Sequence, residues 1–178
     1  MDYNLLATTE PINTSQACSE LWINLRATGD ESPRTNRSRI KGVVLGRTER
    51  NPVEAVHSLR TLLETEDKRF KVLYRILPIQ EWVTTEVPTI VEAVKRLSPI
   101  IKKDETFRIT LEKRRIQLRS LEIITPVAEV VDRRVNLENP DWVILIEVMG
   151  KETGLSIIRP MDVLNIQKER YRLSLKRE

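Results

Sequence analysis

Apolar positions along this chain alternate between a helical spacing and a strand spacing. Ala17, Leu21 and Leu25 recur every fourth residue, which puts them on one face of a helix ending near Gly29. Asn13, with Gln16 three residues on, resembles a capping box at its start. Residues 3–8 before it read as a short strand. Residues 30–39, with Pro33, two serines and Asn36, read as an exposed basic loop, and residues 40–48 as a strand centred on Val43, Val44 and Leu45. Asn51-Pro52-Val53-Glu54 is a strong helix start, with Asn at the cap, Pro in the first turn and Glu at the third position. Val56, Leu59 and Leu63 form its buried stripe, and it stops near Glu66. Residues 70–79, rich in Val, Leu and Ile, read as a strand ending at Pro78.

This order of strand, helix, strand, helix, strand fits a small ferredoxin-like unit over residues 1–80, with one expected strand poorly marked near Thr48. The boundary falls in residues 80–85. A second unit, residues 81–167, opens with a helix that has Pro88 in its first turn and Ile90, Val94 and Leu97 on its apolar face. A strand over residues 106–113 buries Phe107, Ile109 and Leu111 and exposes Arg108, Thr110 and Glu112. Ser120 reads as the N-cap of a helix whose inner residues are Ile123, Val127 and Val130, and Pro126 implies a kink or a late start. Residues 143–148 are almost wholly apolar, as in a central strand covered on both faces. Residues 150–154 turn into a partner strand at 155–158, and residues 168–178 form a basic C-terminal tail. The fold class is α+β.

With 178 residues, 40% hydrophobic and 31% charged, the chain is long and apolar enough for a core. The net charge is only +4, from 30 basic and 26 acidic residues, so a polyanion-binding surface has to come from clustering. Clusters are present. Arg34, Arg37, Arg39, Lys41, Arg47 and Arg50 stand against Glu49 alone, and Arg108, Lys113, Arg114, Arg115 and Arg119 against Glu112 alone. Lys168, Arg170, Arg172, Lys176 and Arg177 add a third set. Any one run reads equally well as a solvated face. The second run differs in its setting, since it lies where a strand ends and a helix begins. Bases there, beside the positive end of the helix, suit a phosphate backbone. Arg108, Lys113, Arg114, Arg115 and Arg119 are therefore the candidate residues for binding a phosphate backbone, with Arg37, Arg39 and Lys41 as a second set.

The chain holds little else that carries chemistry. Cys18 is the one cysteine, so no internal disulfide forms, and its place on the apolar side of a helix reads as a small core residue. His57 is the one histidine and reads as a boundary residue of its helix. Five glycines form no phosphate-cradling loop, and His and Cys are too few for a metal centre. No cofactor and no enzymatic activity are expected. With no leader-like start and no long apolar run, the expectation is a soluble, cytoplasmic protein without membrane attachment. The aromatic content of 4%, with Trp22, Trp82 and Trp142 dispersed, argues against base stacking as the mode of binding and for a structured RNA held by its backbone.

Several of these residues together resemble a known family. Phe107-Arg108-Ile109, Lys113-Arg114, Arg119-Ser120, Val135-Asn136-Leu137 and Asn139-Pro140-Asp141, followed by an apolar strand, look like the THUMP domain of RNA-modifying enzymes. Arg75-Ile76-Leu77-Pro78-Ile79 resembles the segment that joins an N-terminal ferredoxin-like domain to it. The similarity covers residues 75–159 and is greatest to stand-alone THUMP proteins that assist tRNA cytidine acetylation. It implies a KH-like α/β THUMP domain packed against the ferredoxin-like domain, tRNA binding near the acceptor stem, and an RNA cytidine acetyltransferase as partner. It places RNA-facing positions at Lys113, Arg114, Arg119 and Ser120, and gives Asn139-Pro140-Asp141 the role of shaping a turn. Val127-Ala128 stand where many THUMP domains have glycine, and Pro126 is a further departure. No methyltransferase, deaminase or thiolation domain follows the similarity, which favours a non-catalytic adaptor. The alternative is a protein–protein subunit of a larger RNA-processing assembly, pairing through an edge at residues 155–158. A third reading is an RNA-modifying enzyme in its own right.

Overall fold

The computed structural model describes residues 1–176. In chain order the elements are β1 (Leu5–Thr9), α1 (Thr14–Ala27), β2 (Arg34–Arg37), β3 (Val43–Arg47), α2 (Pro52–Thr65), β4 (Leu73–Pro78), β5 (Glu81–Thr84), α3 (Val87–Leu97), β6 (Thr106–Arg114), α4 (Ser120–Val130), β7 (Arg134–Val135), β8 (Trp142–Met149), β9 (Glu152–Ile158), β10 (Leu164–Asn165) and α5 (Ile166–Leu175). They form two compact units, each with a five-stranded sheet. One unit is built from residues 2–79 together with the returning segment from residue 161 onward, and the other from residues 80–160.

The N-terminal unit has the antiparallel sheet order β10-β4-β1-β3-β2. Leu5 and Ala7 alternate inward on β1 and meet Leu21 and Leu25 of α1 and Leu59 and Leu63 of α2 in one buried cluster. A Cβ at Gly46 would come within 3.1 Å of Leu21 and 3.2 Å of Leu5, so glycine lets α1 lie close on the sheet. Helix α2 begins as expected: the Asn51 side chain accepts from the Val53 and Glu54 backbone N–H groups, and Pro52 sits in the first turn. The capping box expected at Asn13 is absent. A 3-10 turn at Pro11–Asn13 runs directly into α1, and the Asn13 side chain makes no cap bond.

Two other expectations are corrected in this unit. The poorly marked strand is not near Thr48. It is β2, inside the segment read as a basic loop, and it is an edge strand paired only to β3. The second correction concerns the C-terminal segment, read as the end of the second unit followed by a separate tail at 168–178. β10 instead pairs with β4 (Leu164 opposite Ile76), and Leu164 and Ile166 are fully buried in the N-terminal core. Asn165 caps α5 by accepting from the Lys168 N–H. Two of its bases are tied down: Arg170 pairs with Asp67 at 2.5 Å, and Arg172 with Glu64 at 2.7 Å. His57 Nε2 lies 2.8 Å from Asp162 at the start of the same segment. Arg177, counted with the tail, lies outside the described residues.

The second unit has the sheet order β5-β9-β8-β6-β7. β6 runs parallel to β8, the other pairings of β8 and β9 are antiparallel, and α4 supplies the crossover that parallel neighbours require. Ile90 and Val94 of α3 and Ile123 and Val127 of α4 cover Phe107, Ile144, Ile146 and Val148. Every residue of β8 is buried, the charged Glu147 among its apolar neighbours included. At the edge expected over residues 155–158, β5 pairs with β9 only as far as Leu155; beyond it the Gln80 side chain accepts from the Ile157 N–H at 2.8 Å and donates to the Ile157 carbonyl at 3.3 Å. Helix α4 starts at Ser120 and carries Pro126 in its interior.

Candidate nucleic-acid interface

The end of β6 sorts its bases by strand parity. Successive side chains on a strand point to opposite faces, so Lys113 and Arg114 part ways. Lys113 lies on the side of α4, where its Nζ donates to the Leu118 carbonyl at 2.6 Å. Arg114 lies on the other side, half-buried, and its Nη1 donates to Glu147 Oε2 at 2.6 Å. Glu147 is wholly buried in the middle of β8. Arg114 is therefore one half of an internal ion pair. Arg108 is likewise occupied within the fold, donating from Nη1 to the Leu137 carbonyl at 3.1 Å.

The remaining candidates face solvent. Arg115 ends the strand with φ of 56°, in the left-handed region, which turns the chain away from the sheet and leaves the residue exposed. Arg119 is the N-cap residue of α4, and its side chain is 87% exposed. Ser120, expected as the cap, is instead the first helical residue and is exposed. The cap is made by Glu122, whose Oε2 accepts from the Arg119 backbone N–H at 2.7 Å. That bond, followed by the Arg119 side chain and Lys113, holds the Glu122 carboxyl below its ordinary range. Lys151 is a base the sequence reading missed. It is exposed in the β8–β9 turn, and a Cβ on the preceding Gly150 would stand 3.9 Å from Arg115 Cβ. Only the register of β6 against β8, with Arg114 opposite Met149, reveals that neighbour.

This is the strand-to-helix mouth whose residues resemble a known family, and the match extends through the whole unit. Residues 84–158 match the family model of the THUMP domain. The THUMP domain supports RNA binding in tRNA modification. Among solved structures, the chain resembles PH1313 from Pyrococcus horikoshii Ot3, with 21% identity, a TM-score of 0.61, and coverage of 88% of this chain and 55% of that one. It also resembles TrmN from Thermus thermophilus, with 18% identity, a TM-score of 0.56, and coverage of 86% and 44%. A third is a predicted N6-adenine-specific DNA methylase from Listeria monocytogenes str. 4b F2365, with 12% identity, a TM-score of 0.55, and coverage of 88% and 40%. At these identities the likeness shows the fold. The chain spans about half the length of those proteins or less. No curated protein matches the sequence.

The Asn139-Pro140-Asp141 stretch shapes a turn in the THUMP domain. Asn136 Oδ1 accepts from the Glu138 and Asn139 N–H groups, and Asp141 Oδ2 accepts from both the N–H and the hydroxyl of Thr106. The turn delivers Trp142 to Glu105, whose Oε2 accepts from Trp142 Nε1 at 2.7 Å and from the Lys102 N–H at 2.9 Å. Arg159 stacks 3.7 Å over the Trp142 ring and donates to Glu105 Oε1 at 2.8 Å. The Lys102 N–H first, then Trp142 and Arg159, lower the Glu105 carboxyl to about 2. A depressed carboxyl stabilises the fold at pH above its unfolded value and ceases to do so as pH falls toward its folded one. Urea midpoints between about pH 5 and about pH 2.5 should therefore fall more for the wild-type chain than for Glu105→Gln. Equal losses in the two would show that this carboxylate does not couple folding to protonation.

Of the second candidate set, Arg37 donates to Ser15 Oγ at 3.2 Å, and Arg39 and Lys41 are exposed. Their sequence neighbours are engaged elsewhere: Arg34 with Asp2 at 2.6 Å, Arg47 with Asp2 and Glu49, and Arg50 with the Thr28 carbonyl and Ser58. Among the described residues no helix is long and apolar enough to cross a membrane, and no group of three or more His, Cys, Asp or Glu side chains is placed to hold a metal ion.

Proposed function

We propose that this chain is a non-catalytic, cytoplasmic tRNA-binding adaptor that presents tRNA, held near its acceptor stem, to a separate RNA cytidine acetyltransferase. The observation that carries the reading is the solvent-facing pair Arg115 and Arg119, at the mouth between β6 and α4 of a THUMP domain. Arg115 is exposed, and Arg119 is held only by an exposed 3.4 Å contact to Glu122 that a phosphate oxygen can replace; the first turn of α4 adds the positive end of a helix. Lys151 extends the cationic rim. In this reading the N-terminal unit, whose elements run strand, helix, strand, strand, helix, strand, is the ferredoxin-like companion of the THUMP domain.

Arg115→Glu with Arg119→Glu tests the RNA-binding half. Each lost phosphate contact removes about 0.9 from the slope of log affinity against log salt, so the pair should remove about 2 and cost about 30-fold in tRNA affinity at about 0.15 M salt. Filter binding of folded tRNA over a salt series reads both quantities. Unchanged affinity and slope would sink this site. For the adaptor half, cytidine acetylation of tRNA by an RNA cytidine acetyltransferase is measured with the wild-type chain, with the double variant and with neither. The wild-type chain should raise the rate and the variant should not. Acetylation by the purified chain alone would end the non-catalytic reading.

A further inference from the structure

The cations of the N-terminal unit are arranged more deliberately than a solvated face requires. Pro11 and Ile12, in the 3-10 turn before α1, Ser15 in its first turn, and Arg37, Arg39 and Lys41, on the β2–β3 hairpin, line an open cavity of about 750 Å³. The hairpin is locked in place. The Gly42 N–H donates to Thr14 Oγ1 at 2.9 Å, Thr14 Oγ1 donates to the Pro11 carbonyl at 2.8 Å, and the Thr9 N–H donates to the Gly42 carbonyl at 2.9 Å. Within the loop, Ser38 Oγ bonds both the N–H and the carbonyl of Ile40. Gly42 itself has φ of +80°, and a Cβ there would lie 2.8 Å from the Thr9 carbonyl oxygen, so only glycine permits this seat.

The charge on this hairpin is left open. Arg34 and Arg47 pair with carboxylates, whereas among the described residues none of Arg37, Arg39 and Lys41 has a carboxylate within ion-pair distance. A rigid loop that holds three uncompensated cations along one groove has already met part of the ordering cost of binding an extended anion. The groove has no aromatic lining, so it cannot hold bases by stacking. What remains is contact with a sugar–phosphate chain, independent of sequence.

We infer that the groove between the start of α1 and the β2–β3 hairpin is a second RNA-backbone site, acting in addition to the THUMP mouth, with Arg37, Arg39 and Lys41 contacting successive phosphates of the same folded RNA. It rests on the RNA-binding reading of the chain and extends it from one contact surface to two.

The test uses the full chain in four forms: wild type, Arg37→Gln/Arg39→Gln/Lys41→Gln, Arg115→Glu/Arg119→Glu, and the combination. Thermal melting first verifies that each is folded, and all the substituted groove residues are exposed. Affinity for folded tRNA is then measured over a salt series. At about 0.9 per phosphate, the groove variant should lose about 2 to 3 from the salt slope and roughly 100-fold in affinity at about 0.15 M salt. The combination should lose the sum. Wild-type affinity and slope in the groove variant, with binding lost in the mouth variant, would overturn this inference and leave the mouth intact. Loss in the groove variant with an unchanged mouth variant would support the groove and overturn the mouth. A wild-type chain that does not bind tRNA overturns both.

Discussion

Arg114→Ala is expected to destabilise the THUMP domain by about 3–5 kcal/mol while leaving the tRNA affinity of the folded fraction unchanged. Glu147 is wholly buried within an apolar strand, and Arg114 reaches it at 2.6 Å with a guanidinium that is itself only 18% exposed. Removing the cation takes the guanidinium away from a wholly buried carboxylate, where desolvated charge is costly, and that penalty exceeds anything the truncated alkyl stem loses in packing. Replacing both partners by apolar residues, Arg114→Met with Glu147→Leu, should recover most of the loss, because the pair's own net contribution is small once neither charge is left alone. Urea denaturation of the three variants measures this directly. Should Arg114→Ala melt with the wild type and yet lose tRNA, the arginine contacts RNA and the internal pair is incidental.

The same residue shows where sequence reasoning reaches and where it stops. Helix α2 was legible because three local signals coincide at Asn51, Pro52 and Glu54, and none of them needs a tertiary partner. The β6 strand was legible from alternation around Phe107. Parity along β6 already separates Lys113 from Arg114, but which of them meets a buried acid depends on the register against β8. The available signal was Glu147, an acid inside an eight-residue apolar strand, which needs a cation opposite it. Strand β2 could not be seen at all. It is exposed, it alternates nothing, and its existence rests on backbone bonds to β3. The basic tail was misread for a related reason. Its Arg170 and Arg172 look like an open charge run until Asp67 and Glu64, a hundred residues away in sequence, are brought beside them. Lys151 escaped notice because a turn residue gains its neighbours only through strand register. Local signals fixed elements, and non-local pairing decided which charges remain available.

A chain cut after Pro160 should lose the N-terminal unit's stability, although it keeps residues 84–158, the whole THUMP match. The segment from residue 161 supplies Leu164 and Ile166, both fully buried in the N-terminal core, and burial of such side chains contributes about 1.5–3 kcal/mol each. Its loss also strips β4 of its partner β10 and leaves a bare edge at Arg75 and Ile76. The Arg60 bond to the Val163 carbonyl and the His57–Asp162 contact go with it. A deficit of about 3–6 kcal/mol before those polar contacts is a large part of the roughly 5–15 kcal/mol that holds an ordinary domain together. Amide exchange reads it residue by residue: protection across β4 (Leu73–Pro78) should collapse in the truncated chain. Leu164→Ala with Ile166→Ala in the full-length chain should reproduce most of the effect without changing a charge. If β4 stays protected in both, the returning segment is the loose arm that its basic sequence first implied, and tRNA affinity, not folding, is where its deletion should register.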